Sequence, residues 1–245
     1  MTKIKVGCRY KSNNCGWFEV IEYTNHKEVM VKFEKTGYVT SSTSGNIRGG
    51  MVKDRLLPSV YGMGFIGEGK YASKRKDKAN STWWGMLSRC YNEKYQEKCP
   101  TYKGCFVNKE WLNFQNFAKY YEDNYKEGYQ LDKDLLFKGN KEYSSETCVF
   151  VPQYLNKFTL DSSAKRRKFL VGVTLCSYSK LKPYRASIRS AALNSRIHLG
   201  LFATEEEAYQ VWLSAKLQQA LEYKQEMDEI DPRIYANVVE IIKEM

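Results

Sequence analysis

The last third of the chain carries the pattern that most constrains its fold: three short alternating segments followed by one long amphipathic segment. The alternating segments are FLVGVTLC, PYRASIRSA and RIHLGLFA, and this alternation of apolar and polar residues is typical of half-buried β-strands. The next segment begins with Thr204 and Glu207, a pair that forms a helix capping box. A helix here would cover the apolar side of a three-stranded sheet through Ala208, Val211, Trp212 and Ala215.

The polarity of these strands predicts a basic face on the sheet. Ala186 and Ile188 share one side of the second strand, and Ile197 and Leu199 share one side of the third. The opposite side is then predicted to present Arg185, Ser187, Arg189, Arg196 and His198. Such a flat set of donors matches phosphates and guanine edges, and a solvated sheet face without a ligand is the alternative.

The charge of the chain agrees with a polyanionic partner. It has 39 Lys and Arg residues against 28 Asp and Glu, a formal net charge of +11, which suits nucleic acid. A generic basic protein is the alternative, because charge alone does not specify a fold. Further DNA contacts are predicted at Lys180, Lys182, Lys165, Arg166, Arg167 and Lys168.

The chain divides into four segments by pattern. Residues 1–69 contain short strands and turns and are predicted to form a β-rich unit, and residues 70–80 form a basic linker. Residues 81–164 change to a helical pattern that ends in a strand, strand, helix order. Residues 165–245 contain the sheet, its helix and a last helix, so the predicted fold class is α+β.

Aromatic and aliphatic spacing predicts packed helices in the last two segments. One aromatic stripe contains Trp83 and Trp84, with Asn80 or Ser81 available as the helix cap, and a second helix is predicted to begin near Asn108. The last helix is predicted to begin at Asp231-Pro232 and to pack through Ile234, Val238, Ile241 and Ile242.

The sequence disfavours a membrane-spanning protein and a secreted protein. The chain has no run of about 18 apolar residues, and the start MTKIKVGCRY lacks the apolar core of a signal peptide, so we expect a cytoplasmic protein without a membrane partner. The seven cysteines contain no CxxC pair, so reduced thiols are expected. A structural zinc site is the less favoured alternative and would use Cys90, Cys99, Cys105 and Cys148.

The C-terminal segment resembles a known DNA-binding family. VGVTLCSYSKLKPYRASIRSAALNSRIHLGLFATEEEAYQVWLSAK is similar to an AP2-type domain over about fifty residues. The shared features are the GV start, the YxAxI strand, the HLGxF strand and the TxEEAxxxxxxAK helix. The resemblance implies that the sheet enters the major groove of double-stranded DNA while the helix backs it.

The middle segment resembles a bacteriophage family related to HNH endonucleases. The matching features are Trp84, Met86, RCYN at 89–92, WxxFxxF at 111–117 and LDKD…YSSETCVFVPQYLN at 131–156. The resemblance implies a ββα scaffold that holds one divalent metal beside the scissile phosphate, with a histidine on the first strand activating water. Fusion of an HNH-like core to an AP2 domain is familiar from phage and mobile endonucleases, and the first 69 residues look like the leading segment of such phage proteins.

The chain departs from the HNH pattern at the general base. The resemblance places the usual Asp-His pair at Asp132-Lys133, the closing metal ligand at Asn156 and the central Asn at Thr147. The chain has only two histidines, and both lie outside this segment. No local imidazole is therefore available to activate water.

Two aspartates are the alternative source of metal ligands and of a base. On an extended strand Asp132 and Asp134 would share one face, where they could bind Mg²⁺ or Mn²⁺ and one carboxylate could accept a proton. Lys133 would lie opposite, better suited to contact a phosphate than to act as a base. The predicted catalytic residues are Asp132, Lys133, Asp134 and Asn156, and the predicted metal ligands are Asp132, Asp134 and Asn156.

The leading hypothesis is a phage-encoded, HNH-like endonuclease that hydrolyses DNA phosphodiesters with a divalent metal. The alternative is a catalytically degenerate HNH scaffold that acts as a DNA-binding regulator or counter-defence protein, in which the aspartates serve only as ion-pair partners of nearby lysines. An RNA-binding module is a third hypothesis. A homodimer is left open by the sequence.

Overall fold

The computed structural model describes residues 3–74, 77–160, 169–190 and 195–245. The chain combines helices with strands that form several small sheets, which confirms the α+β class. The chain forms two compact units, Met1–Asp123 and Asn124–Met245, and the four-segment division stays a prediction. No helix in the described ranges is long and apolar enough to cross a membrane.

The first unit opens with a four-stranded antiparallel meander. Its neighbouring strands are β1 (Arg9–Ser12), β2 (Gly16–Asn25), β3 (Glu28–Phe33) and β4 (Val39–Ser42). Alternate residues of β3, namely Val29, Val31 and Phe33, are buried in one cluster with Phe18 of β2, as the alternation predicts. A short helix, α1 (Ser44–Arg48), adds Ile47 to this core.

The rest of the first unit is mainly helical. Its elements are α2 (Lys78–Tyr91), α3 (Glu93–Lys98), a 3₁₀ turn (Pro100–Tyr102), β5 (Phe106–Val107), α4 (Lys109–Leu112) and α5 (Phe114–Asn124). Helix α2 begins earlier than predicted, because Asp77 rather than Asn80 or Ser81 accepts a backbone N–H of the first turn at 3.0 Å. Trp83 is fully buried, whereas Trp84 is 42% exposed and does not belong to the packed face.

The second unit begins with the predicted strand, strand, helix order. Strand β6 (Tyr129–Asp132) pairs antiparallel with β8 (Val149–Pro152), with the short strand β7 (Glu142–Tyr143) in the connection, and α6 (Gln153–Phe158) follows β8. This ββα segment is therefore formed, although its first strand is shorter than the alternation suggests.

The C-terminal helices complete the core of the ββα segment. They are α7 (Glu205–Glu222), α8 (Lys224–Ile230) and α9 (Arg233–Lys243). Leu135, Val151 and Leu155 lie in one buried cluster with residues of all three helices, namely Ala220, Met227, Ile234, Val238 and Ile242. The last helix packs through three of its four predicted residues, and Ile241 is only half-buried.

A separate sheet of three strands, here called the second sheet, lies against α7. Its strands are β9 (Val173–Leu175), β10 (Tyr184–Ser190) and β11 (Ser195–Phe202), with β10 in the centre. Val173 and Ala186 of the sheet pack with Ala208 of α7 in a small buried cluster. Thr204 and Glu207 form the predicted capping box at the start of the helix. The predicted three-stranded sheet backed by a helix is therefore present.

Gly172 allows this sheet to approach α7 closely. It has φ +75, and a Cβ atom at this position would overlap the indole of Trp212. Its carbonyl oxygen also accepts the N–H of Ser187 at 2.9 Å. A side chain at position 172 would conflict with both the backbone conformation and the packing.

Candidate nucleic-acid interface and ββα segment

The outer face of the three-stranded sheet brings most of the predicted basic residues together. Strand pairing places Arg189 opposite Arg196 and Ser187 opposite His198, and directly opposed residues share a face. Arg189, Arg196 and His198 are exposed and Ser187 is half-buried. These four side chains form a contiguous polar set on the side of the sheet that does not contribute to the core beneath α7.

A β-bulge bends this sheet in its middle. Ala186 pairs with Gly200 whereas Ser187 pairs with His198, so Leu199 has no opposed residue on β10. Leu199 instead packs against the small apolar cluster under the sheet. Bulges increase local twist, so the polar face is curved, whereas simple alternation predicts a flat one.

Arg185 is held at the other end of β10 by two neighbours. Its Nη2 donates a hydrogen bond to Tyr178 Oη at 2.6 Å and contacts Cys176 Sγ at 3.5 Å. The hydrogen bonds with Cys176 and Tyr178 raise the pKa of Arg185. Its Nε is buried and has no hydrogen-bond partner among the residues that the structure describes. The guanidinium group is therefore a fixed cation on the same side of β10 as Ser187.

The remaining predicted DNA contacts lie outside the strands. Lys180 and Lys182 are exposed in the turn between β9 and β10, on either side of Leu181, which is 89% exposed. The basic run Lys165, Arg166, Arg167 and Lys168 falls outside the described residues. The turn lysines extend the cationic surface of this end of the chain.

The ββα segment differs from the expected geometry at Asp132. The prediction of an extended strand through Lys133 and Asp134 is wrong, because β6 ends at Asp132 and a turn follows. Asp132 Oδ1 accepts the N–H groups of Asp134 and Leu135, both at 2.8 Å, which fixes the turn. Asp132 and Asp134 therefore do not alternate along a strand. Burial raises the pKa of the Asp132 carboxyl.

Lys133 organises the loop that follows. It is only 7% exposed, and its Nζ donates to Asp134 Oδ1 at 2.5 Å and to the Asn140 carbonyl oxygen at 2.7 Å. The Asn140 amide in turn donates to the carbonyl oxygens of Lys133 and Glu142 at 2.8 and 2.7 Å. The ammonium group predicted to contact phosphate is thus hydrogen-bonded within its own loop.

The two other family positions are also used inside the fold. Asn156 Nδ2 donates to Gln130 Oε1 at 2.9 Å and so joins α6 to β6. Thr147 Oγ1 donates to the Glu142 carbonyl oxygen at 2.8 Å and lies 2.9 Å from the Ser144 hydroxyl. Both side chains stabilise the ββα segment.

These donors do not fit a ready-made divalent-metal site. Asp132, Asp134 and Asn156 each have a protein partner, and no cluster of three or more His, Cys, Asp or Glu side chains suited to a metal occurs in the part of the chain that the structure describes. A Mg²⁺ or Mn²⁺ ion would require several oxygen ligands turned towards one point. Burial raises the pKa of the Cys148 thiol to about 12, so this side chain is a protonated, buried thiol.

One buried cation was missed by the sequence prediction. The buried residues of α7 are Ala208, Trp212, Lys216 and Ala220, whereas Val211 and Ala215 are only half-buried. The constant spacing of four residues is the signal that places Lys216 on the packed face. Lysine side chains usually lie at the protein surface, so residue type alone predicts an exposed position for Lys216.

No family model, curated protein or solved structure matches this chain. The likeness to AP2 domains and to HNH-like phage proteins therefore rests on the sequence motifs.

Proposed function

We propose that this protein binds double-stranded DNA through the outer face of the sheet formed by β9, β10 and β11. The observation that carries the proposal is the strand register that aligns Arg189 with Arg196 and Ser187 with His198 on one face. Arginine forms bidentate hydrogen bonds with guanine in the major groove, and serine contacts several bases or phosphates. The net charge of +11 supplies a general attraction to phosphates.

The resemblance to AP2 domains supports the same face. In that family the sheet contacts the major groove and the helix lies behind it, and here α7 packs against the apolar side of the sheet. A phage-encoded origin is part of the same proposal, because the motifs of the middle segment resemble phage proteins. The partner is therefore double-stranded DNA in the host cytoplasm.

Single arginine substitutions test this proposal. Duplexes that bind would first be selected from a random-sequence pool, and fluorescence anisotropy would then give dissociation constants. If each residue reads a base, Arg185→Ala and Arg189→Ala should each weaken binding by about 1 to 3 kcal/mol. Lys243→Ala removes one charge from an exposed side chain of α9 and is the matched control. Unchanged affinity in both arginine variants would remove the sheet from the interface.

Metal-dependent hydrolysis of DNA is the second candidate function. It is favoured by the order β6, β8, α6, in which an antiparallel hairpin leads directly into a helix. The test is cleavage of duplex and single-stranded DNA with Mg²⁺, Mn²⁺ or Zn²⁺, compared with Asp132→Ala. Nicking that survives this substitution would exclude Asp132 as the catalytic carboxylate.

Two other outcomes distinguish the remaining hypotheses. Tight, salt-dependent duplex binding without cleavage under any metal would favour a regulator or counter-defence protein built on the same scaffold. Stronger competition by RNA than by duplex DNA of equal length would favour an RNA-binding module. Both outcomes use the same purified chain, with anisotropy for binding and the cleavage assay for hydrolysis.

A further inference from the structure

A cleft lies at the end of the second sheet, between the sheet, α6 and α7. Its volume is about 590 Å³, and it is bordered by the start of β9, the Arg189 end of β10, the start of β11 and the last residues of α6. Pockets of 300 to about 1,000 Å³ are the size that holds a small molecule. Three of its lining residues, Ser187, Arg189 and Arg196, also belong to the proposed DNA-binding face, whereas no described residue of the ββα loop lines it.

Lys216 of α7 lines the cleft as a buried cation. Lys216 is only 9% exposed, and among the described residues no carboxylate pairs with its Nζ. The Nζ atom lies 3.4 Å from the centre of the Phe158 ring, which gives the ammonium group one favourable contact. Burial lowers the pKa of Lys216 from 10.5 to about 8. A charge taken out of water in this way is normally compensated by an anion.

The other polar side chains around the cleft are also donors. Lys157, Arg189 and Arg196 add positive charge, and hydroxyl groups are added by Thr174, Ser187 and Ser195. No aspartate or glutamate is among the lining residues that the structure describes. Several donors of this kind around one concave space suit an anion with oxygens pointing in several directions, and phosphate has that geometry.

We propose that this cleft binds a phosphate group carried by a larger organic molecule, with the Lys216 ammonium group as a direct donor. The volume exceeds that of a phosphate ion, so the rest of the ligand occupies the remaining space beside the apolar walls made by Phe158, Ile188 and Trp212. The ligand class is a phosphate ester, either a free nucleotide or one phosphate of a DNA backbone. The site shares Arg189 and Arg196 with the proposed DNA-binding face, whereas Lys216 belongs to α7 and not to that face.

Calorimetric titration of the full chain tests the site. The probes are inorganic phosphate, deoxyadenosine monophosphate, and deoxyadenosine as the phosphate-free control. Deoxyadenosine monophosphate is expected to bind, deoxyadenosine is not, and Lys216→Met is expected to weaken binding at least about tenfold by removing a charge-assisted hydrogen bond. Lys243→Met, which removes an exposed lysine of α9, should bind as the unsubstituted chain does. Equal binding by Lys216→Met, or no binding of any phosphate probe at millimolar concentration, would overturn the proposal.

A second measurement needs no substitution and so does not depend on the variant folding. Lys216 should react with acetic anhydride near pH 8, and deoxyadenosine monophosphate should protect it, as measured by peptide mass spectrometry. Labelling of Lys216 that is unchanged by the nucleotide would also overturn the proposal.

Duplex DNA binding by Lys216→Met identifies the source of the phosphate. The salt slope is the slope of the logarithm of the binding constant against the logarithm of the salt concentration. A salt slope reduced by about one in Lys216→Met, with loss of affinity, assigns the site to the DNA backbone. Unchanged duplex affinity, together with lost nucleotide binding, assigns it to a free phosphate ester. Failure of the DNA proposal is seen separately, as unchanged duplex affinity in both Arg185→Ala and Arg189→Ala. Arg185 does not line the cleft, so a loss of affinity in Arg185→Ala reports on the sheet face alone.

Discussion

Replacing Lys216 with methionine should change the pH dependence of stability. Burial lowers the pKa of Lys216 in the folded chain from 10.5 to about 8, so the unfolded chain binds more protons between these two values. The folded chain therefore becomes more stable as the pH rises from about 8 towards 10.5, and the penalty for the buried charge is fully present below about pH 8. The methionine side chain of the Lys216→Met variant carries no charge, so that variant has no such penalty at any pH.

The size of the effect follows from the pKa shift. A pKa lowered from 10.5 to about 8 corresponds to about 3 kcal/mol at 1.36 kcal/mol per pKa unit. The other described charged groups lining the cleft, Lys157, Arg189 and Arg196, are all cations, so none of them offsets the cost of burial. Because pH 10 lies below the unfolded pKa of 10.5, only about 2 kcal/mol of this difference is expected between about pH 7 and about pH 10.

Urea unfolding at about pH 7 and about pH 10 measures this difference. The gain in stability of Lys216→Met over the unsubstituted chain should be about 2 kcal/mol larger at the lower pH. Phosphate-free buffers are required, because an anion bound in the cleft would stabilise the folded lysine form. Lys243→Met, which replaces an exposed lysine of α9, is the control. An identical difference at both pH values for Lys216→Met would refute the burial argument.

Three further substitutions test the structural roles assigned above. Gly172→Ala should destabilise the second unit by about 2 to 4 kcal/mol in urea unfolding, because the residue has φ +75 and its Cβ would overlap Trp212; a loss below about 0.5 kcal/mol would contradict that packing. Asp132→Ala should cost about 1 to 3 kcal/mol of stability because two backbone N–H groups lose their acceptor; unchanged stability would mean that the carboxylate does not fix the turn. Asn237→Ala should cost a similar amount, because its amide donates to the carbonyl oxygens of Asp134 and Leu135 at 2.9 and 3.0 Å, and hydrogen exchange should speed up in that loop; unchanged exchange would separate α9 from it.

Features governed by local periodicity could be predicted from the sequence. Alternation along β10 and β11 predicted the common face of Arg189, Arg196 and His198, because successive side chains of a strand point to opposite sides. The helix starts at Thr204 and Asn108 could also be predicted. The side chains of these two residues accept backbone N–H groups only three and two residues away. These interactions need no knowledge of the tertiary fold.

Features that depend on a side chain overriding a local pattern were missed. The alternation in LDKDL suggests a strand, but the Asp132 carboxylate bonds to the backbone two and three residues ahead and turns the chain. The bulge beside Ala186 depends on the pairing partner, and no pattern within one strand encodes it. The charge of Lys216 favours a surface position, although its spacing from Trp212 follows the buried face.

The central claim is that the outer face of the second sheet binds duplex DNA, and the salt dependence of binding tests it most directly. Anisotropy titrations at several salt concentrations would compare the unsubstituted chain with a variant carrying Arg185→Ala, Arg189→Ala and Arg196→Ala together. We expect the variant to bind at least about a hundredfold more weakly, with a salt slope reduced by one to three. The same affinity and the same slope in both proteins would contradict the claim.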